Sequence, residues 1–301
     1  MNQLIHGNCL DEIKKLQDNS VDLVLTDPPY FIHKLDSSWS KKQIESDKKN
    51  SHITNLPKGM KYSKSQVKEL FDFYKEVSEV VYQKLKPGGY FLSFSAPRLY
   101  HSIAMAKEVA GFEVRDIINW VYTQSIPKGM SVNHIIDRMD IPETQKEELK
   151  KEYYGFKTPQ IKSCHEPICV AMKPINCTFI QNELNFKTGL IDFNQKVGIN
   201  KNKVPANIMV TEDFCETYTK NFLVSKPDKK EKENNTHITI KPLKLLDHLI
   251  KIFSKENSLV LDPFMGSGSI PLACKISNRK YIGIEIEKEY YEIAKSRISS
   301  Y

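Results

Sequence analysis

No stretch of this chain approaches the roughly 20 consecutive apolar residues needed to cross a bilayer. The opening residues Met1-Asn2-Gln3-Leu4 lack the charged and apolar regions of a secretion signal. Cysteine is sparse and scattered, with six in 301 residues and no Cys-x-x-Cys pair. That pattern excludes a disulfide framework and predicts reduced thiols in a cytoplasmic protein. Cys164, His165, Cys169 and Cys177 come nearest to a metal set. Their spacing is not that of a zinc site, and Cys169 alternates within an apolar strand, so no metal is expected. No internal repeat runs through the chain, and no membrane partner is expected.

What is present is an ordinary hydrophobic share, 40%, and enough length for one large α/β domain with an insertion or for two small domains. The net charge of +7 is uneven. Between Phe31 and Lys64 lie Lys34, Lys41, Lys42, Lys48, Lys49, Lys58, Lys61 and Lys64 against only Asp36, Glu45 and Asp47. This polar, aperiodic stretch reads either as a phosphate-contacting loop or as a solvated surface loop.

Periodicity places a short strand at 4–6, a helix near 11–16 and a buried strand at 21–25. Residues 65–85 carry Val67, Leu70, Phe71, Tyr74, Val77, Val81 and Leu85 at three-to-four spacing, an amphipathic helix stopped by Pro87-Gly88-Gly89. A strand at 90–94, a helix at 98–110 and strands at 113–122 and 167–172 follow. The C-terminal part reads as a helix at 242–253, a strand at 258–261, a glycine turn, a helix at 270–277, a strand at 281–284 and a helix at 288–298. Alternating strands and helices argue for a mostly parallel sheet covered on both faces. Residues 123–225 fit this pattern worst and are the candidate recognition region. The division expected is 1–122, 123–225 and 226–301.

Two motifs carry chemistry. Behind the apolar run Val21-Asp22-Leu23-Val24-Leu25 stands Thr26-Asp27-Pro28-Pro29-Tyr30. The prolines fix φ near −65° and forbid a helix directly after the strand. The rigid turn offers a carboxylate, the Pro28 carbonyl and an aromatic ring at one point. These groups suit the exocyclic amine of a nucleobase, two bonds to the amine and a stack on the base. The same residues also read as a plain strand end with a proline turn.

The second motif is Leu259-Val260-Leu261-Asp262-Pro263-Phe264-Met265-Gly266-Ser267-Gly268, a strand, an acidic turn and a glycine loop. Glu285 ends the next strand, 17 residues beyond Gly268. That offset is close to the acidic residue that takes ribose hydroxyls in nucleotide-binding folds. Pro271 replaces the third glycine of G-x-G-x-x-G, and Asp262 would repel a pyrophosphate. A nucleoside with a positive group and no phosphate fits better, and S-adenosylmethionine has both properties. A purely structural strand-turn-helix is the alternative.

Together, Asp27-Pro28-Pro29-Tyr30 and Asp262-Pro263-Phe264-x-Gly266-x-Gly268 resemble the amino-methyltransferases of DNA. The order, Asp-Pro-Pro-Tyr first and glycine motif last, is similar to the β group of that family. Gly7-Asn8-Cys9-Leu10, Lys86-Pro87-Gly88-Gly89, Gly111-Phe112, His165-Glu166-Pro167-Ile168, His237-x-Thr239-x-Lys241-Pro242-Leu243 and Tyr281-Ile282-Gly283-Ile284-Glu285 match further segments. Asn8 departs from the usual Asp, and Ile238 from a more common Pro.

The resemblance implies a Rossmann-like methyltransferase sheet built from a permuted chain, mostly parallel, with an antiparallel edge strand around 166–173. It implies methyl transfer from S-adenosylmethionine to the N6 amine of an adenine flipped out of duplex DNA. Asp27, Pro28, Pro29 and Tyr30 are the expected catalytic residues. Asn8, Cys9, Thr239, Lys241, Asp262, Phe264, Gly266, Ser267, Gly268 and Glu285 are the expected cofactor contacts. Cytosine N4 shares the chemistry, but Asp at the first position of the turn favours adenine in this family. Protein glutamine methyltransferases carry Asn there and place the glycine motif first, so the chain disagrees with them on both points. An inactive nucleic-acid-binding protein is disfavoured by the intact cofactor motif. His165 and Glu166 are expected to stabilise the sheet edge. A homodimer and a cognate restriction endonuclease are compatible partners.

Overall fold

The computed structural model describes residues 2–29, 64–122, 129–158, 163–195, 204–210, 222–223 and 240–301. Tyr30, Thr239 and the basic stretch up to residue 63 lie outside the described residues.

The chain begins with β1 (Gln3–His6) and α1 (Cys9–Lys14), whose start is capped by Asn8: its side-chain oxygen accepts from the Leu10 amide at 2.9 Å. β2 (Val21–Thr26) is buried at all six positions, as a central strand covered on both faces must be. α2 (Lys64–Lys84) turns Leu70, Tyr74, Val77 and Val81 into the core, the stripe its spacing predicts. It passes straight into β3 (Leu85–Phe94), so Pro87-Gly88-Gly89 lie within the strand instead of ending the helix. There the register with β2 jumps between Val21↔Leu85 and Leu23↔Tyr90. The end of α2 is closed by Lys173, whose ammonium donates to the carbonyls of Tyr82 (2.7 Å) and Leu85 (2.8 Å).

A 3₁₀ turn (Pro97–Leu99), α3 (Tyr100–Val109) and β4 (Glu113–Val121) follow. The polar insertion folds as α4 (Val132–Ile136) and α5 (Glu143–Glu152), then β5 (His165–Met172) re-enters the sheet. Beyond it come α6 (Phe179–Phe186) and the short strands β6 (Ile208–Val210) and β7 (Phe222–Leu223). The chain closes with α7 (Leu243–Phe253), β8 (Leu259–Asp262), α8 (Ser269–Ile276), β9 (Lys280–Glu285) and α9 (Lys288–Ser299).

These strands form one sheet in the order β1-β9-β8-β2-β3-β5-β4-β6-β7. Among the described residues only β5 runs against its neighbours, pairing antiparallel with both β3 and β4. The reversed strand was expected at the edge; it lies inside, because β4, β6 and β7 continue the sheet past it. Side chains alternate between two cores. Leu23, Leu25, Leu92 and Phe94 pack with Leu245, Leu249 and Leu272 on one face; Val24, Phe91 and Leu261 pack with Ile13, Tyr74 and Ile103 on the other.

This order sets the site. β2 and β8 are parallel neighbours (Leu23↔Val260, Val24↔Leu261), so their carboxyl ends emerge side by side. Because β5 is reversed, its first residues arrive at that same edge: Phe94 pairs with Ile168, and the Ser95 amide donates to Pro167 O at 2.9 Å.

Candidate active site

The two Asp-Pro strand ends are tied directly. Thr26, last in β2, donates its hydroxyl to Asp262 Oδ1 at 2.7 Å in a buried setting. The same oxygen accepts from the Phe264 amide at 3.1 Å, which closes the turn after β8. Asp262 Oδ2 is buried and has no hydrogen-bond partner among the described residues. Burial pushes the Asp262 carboxyl up to about 7, the two bonds to Oδ1 opposing it only in part and the charges of Asp27 and Glu285 adding to it. A buried acceptor without a donor is costly on its own, and a cationic amine would satisfy it. The residues present therefore fit the amino group of the expected methyl donor.

The glycine loop is held from behind. Gly266 and Gly268 have positive φ, 51° and 79°, which favours glycine. A Cβ on Gly268 would stand 2.8 Å from the Cβ of Ala294 on α9, so packing against that helix demands glycine there. Pro271, in the third-glycine place, packs on Gly283 of β9, where a Cβ would lie 2.9 Å from its ring. The close helix–strand approach is kept, with the glycine moved to the strand. The Ser267 carbonyl accepts from Arg297 at 2.7 Å.

Glu285 links three pieces. Its carboxylate accepts from the Gly266 amide (2.8 Å) and the Glu287 amide (2.9 Å), and its carbonyl accepts from the Gly7 amide (2.9 Å). Burial raises its carboxyl, the amide bonds working against the rise. The Gly7–Cys9 corner thereby stands beside the glycine loop. Asn8 is exposed; Cys9 is buried, its thiol pushed up to about 11 by that burial. Phe264 is half-buried, its ring 5.9 Å from that of Phe73 on α2.

Lys241 was expected among the cofactor contacts, and its contacts lie at the other strand end. Its ammonium donates to Asp27 Oδ2, lies 3.3 Å from Glu166 Oε2 and sits 5.0 Å from the centre of the Phe94 ring. Burial alone would pull the ammonium down, but Asp27 and Glu166 outweigh it and hold it above the ordinary lysine range. Next to Glu166, the Tyr122 phenol is pushed up to about 12 by burial, with the Glu166 charge adding to it. Sequence reasoning missed Thr26, Phe73 and Phe94, and it gave Glu166 to the sheet edge. The one available signal was an acid, Glu166, at the mouth of a buried strand.

In sequence and shape the chain is similar to known DNA-modifying proteins. A family model described as DNA methylase matches residues 21–296. Type II methyltransferase M.HindIII of Haemophilus influenzae is 26% identical over 310 residues, which cover 98% of this chain and 94% of the relative. DNA adenine methyltransferase YhdJ of Escherichia coli is 28% identical over 304 residues, covering 98% of this chain and 82% of the relative. The crystal structure of an M1.HpyAVI–SAM complex shares the fold with a TM-score of 0.55, 23% identity and 99% of each chain covered.

Proposed function

This chain belongs to the DNA methylases that act on N6 or N4 amines, and on that footing we propose that it methylates adenine N6 at a defined sequence in duplex DNA. The observation that carries this reading is the pair of adjacent strand ends. One presents Asp27 and the Pro28 carbonyl; the other presents a buried carboxylate, Asp262, without a cation; Thr26 joins them. Acceptor and donor sites thus share one edge of the sheet, where ligands of such sheets bind.

S-adenosylmethionine, the methyl donor of the family, supplies an electrophilic methyl group when bound. The lone pair of the adenine amine is delocalised into the ring, which makes the nitrogen a poor nucleophile. Hydrogen bonds from the amine to Asp27 and to the Pro28 carbonyl favour a pyramidal nitrogen and disperse the positive charge that develops on it. Tyr30 stacks on the flipped base, worth about 1–3 kcal/mol by analogy with other base–aromatic contacts. Pro29 keeps the turn rigid. Asp262 takes the methionine amine, Phe264, Gly266, Ser267 and Gly268 surround the methionine part, Glu285 takes the ribose, and Asn8 and Cys9 meet the adenine of the cofactor. On the family resemblance, Thr239 would be a further contact of the cofactor. No covalent intermediate is required, so the cysteines need no catalytic part.

A cytoplasmic location, a homodimer and a cognate endonuclease belong to the same proposal. No helix of the described residues is long and apolar enough to cross a membrane. Light scattering of the purified protein tests the dimer.

Expression in cells free of DNA methylation, followed by modification-sensitive sequencing, tests the function. N6-methyladenine at one sequence is the expected result. N4-methylcytosine instead, or labelled methyl appearing in protein and not in DNA, overturns it.

A further inference from the structure

We propose that Lys241 is a placeholder for the target amine: its ammonium contacts both Asp27 and Glu166, and when the base enters it gives up Asp27 and withdraws onto Glu166. The proposal rests on reading Asp27 as the acceptor of that amine. An ammonium N–H and an amine N–H are the same kind of donor, and Lys241 already holds one of the two oxygens that the amine needs. A second seat stands ready. Glu166 Oε2 is buried and lies 3.3 Å from Lys241 Nζ, already within ion-pair range of the ammonium. The Phe94 ring, 5.0 Å away, flanks the cation and favours neither carboxylate.

The backbone of Lys241 has little freedom to follow. Pro242 comes next, and α7 is anchored by Leu245, Leu246 and Leu249, all fully buried. Transfer between the two carboxylates is therefore a side-chain movement.

Both ends of the exchange make electrostatic sense. Without substrate, a carboxylate at the mouth of the buried edge is costly unless paired, and Lys241 pairs it. With the base in place, an ammonium left on Asp27 would cancel the charge that must face a nitrogen turning positive. Moved onto Glu166, the ammonium leaves Asp27 its full charge. Asp27 and Glu166 outweigh the burial and keep Lys241 protonated, so a charge moves and no proton is transferred.

Glu166→Gln tests this by keeping the shape of the second seat and removing its charge. Once the methylated position is known, a duplex carrying 2-aminopurine there reports base flipping by fluorescence, without cofactor. In Glu166→Gln, turnover should fall on the order of 10- to 100-fold and the flipping signal should drop, with cofactor affinity by calorimetry unchanged within a few-fold. In a Lys241→Met background, where the ammonium is gone, Glu166→Gln should have no further effect on flipping. Normal turnover and flipping in Glu166→Gln overturn the exchange. So does an equal loss in the Lys241→Met background, or a loss confined to cofactor affinity. If Lys241→Met does not fold, the single variant with its flipping signal decides the question. Wild-type protein that methylates DNA beside an unaffected Glu166→Gln refutes the exchange alone. Wild-type protein that methylates no DNA refutes the functional reading and the exchange with it.

Discussion

Asp27 and Asp262 look interchangeable in the sequence: each ends a buried parallel strand, each is followed by proline, and the two strands are neighbours. Their surroundings are opposite. Asp27 is paired by the buried ammonium of Lys241, whereas Asp262 receives one hydroxyl and one amide on Oδ1 and nothing on Oδ2. One carboxylate thus has a cation supplied by the chain. The other has its carboxyl pushed up to about 7 by burial, and on the proposed function it awaits the cation of the methyl donor. The same dipeptide acquires two different environments because the sheet gives each copy different neighbours across the edge.

The contrast is most sharply tested at Asp27. Asp27→Ala should lower methylation by about 1,000-fold or more while cofactor affinity stays within a few-fold. A filter assay with labelled methyl donor reads the first quantity and calorimetry the second. Asp262→Ala should do the reverse, weakening cofactor binding by about 10- to 100-fold. A similar loss at both positions would erase the distinction.

Glu285→Ala should also weaken the cofactor, by about 10-fold or more, since it removes the proposed ribose contact, the hydrogen bond from Gly266 that holds the glycine loop and the one from Glu287. Unchanged affinity in a calorimetric titration removes the ribose role. The pH response is smaller and has a definite sign. Asp262 must ionise to hold an ammonium, so cofactor affinity should rise from about pH 6 to about pH 8, and Asp262→Asn should be weak and flat across that range. In the protein without cofactor the sign reverses for stability. The folded carboxyl still holds its proton where the unfolded one has lost it. This contribution is therefore lost as pH rises between the ordinary carboxylate range and about 7, measurable by urea unfolding. The mildest effect is expected at Gly268→Ala, which forces a Cβ toward Ala294 at a positive φ and should cost about 1–3 kcal/mol in the same unfolding experiment.

The elements that frame the site were legible because each announces itself locally. β2 and β8 are short apolar runs ending at Asp-Pro, and α2 has a regular three-to-four stripe. The interior position of β5 was not legible, since it depends on β6 and β7, strands of three and two residues with no period to read. α5 was missed for a different reason: Glu143–Glu152 has no buried residue, so no apolar pattern marks it. α6 left a signal that was overlooked, the capping box of Thr178 and Gln181. At the site, the carboxylates and the glycine loop could be named from residue type and spacing. The Asp27–Lys241 contact could not, because its partners are 214 residues apart and meet only through the sheet order.

That order also dictates a schedule. β1 pairs in parallel with β9, its Gln3 opposite Ile282, and His6 stacks near Tyr291 of α9 at 5.6 Å. A ribosome making this chain delivers β1 and β2 early, yet β8 and β9, which cover their flanks, come more than 200 residues later. Until residues 280–285 emerge, the first strand lacks its partner β9 and the proposed acidic contact, Glu285, is missing. Long-range pairing of this kind folds slowly, and whatever binds only the finished sheet draws the equilibrium toward it. A ligand that touches β1, β8 and β9 at once, as proposed for the methyl donor, would therefore stabilise the closed sheet as well as serve as a reagent.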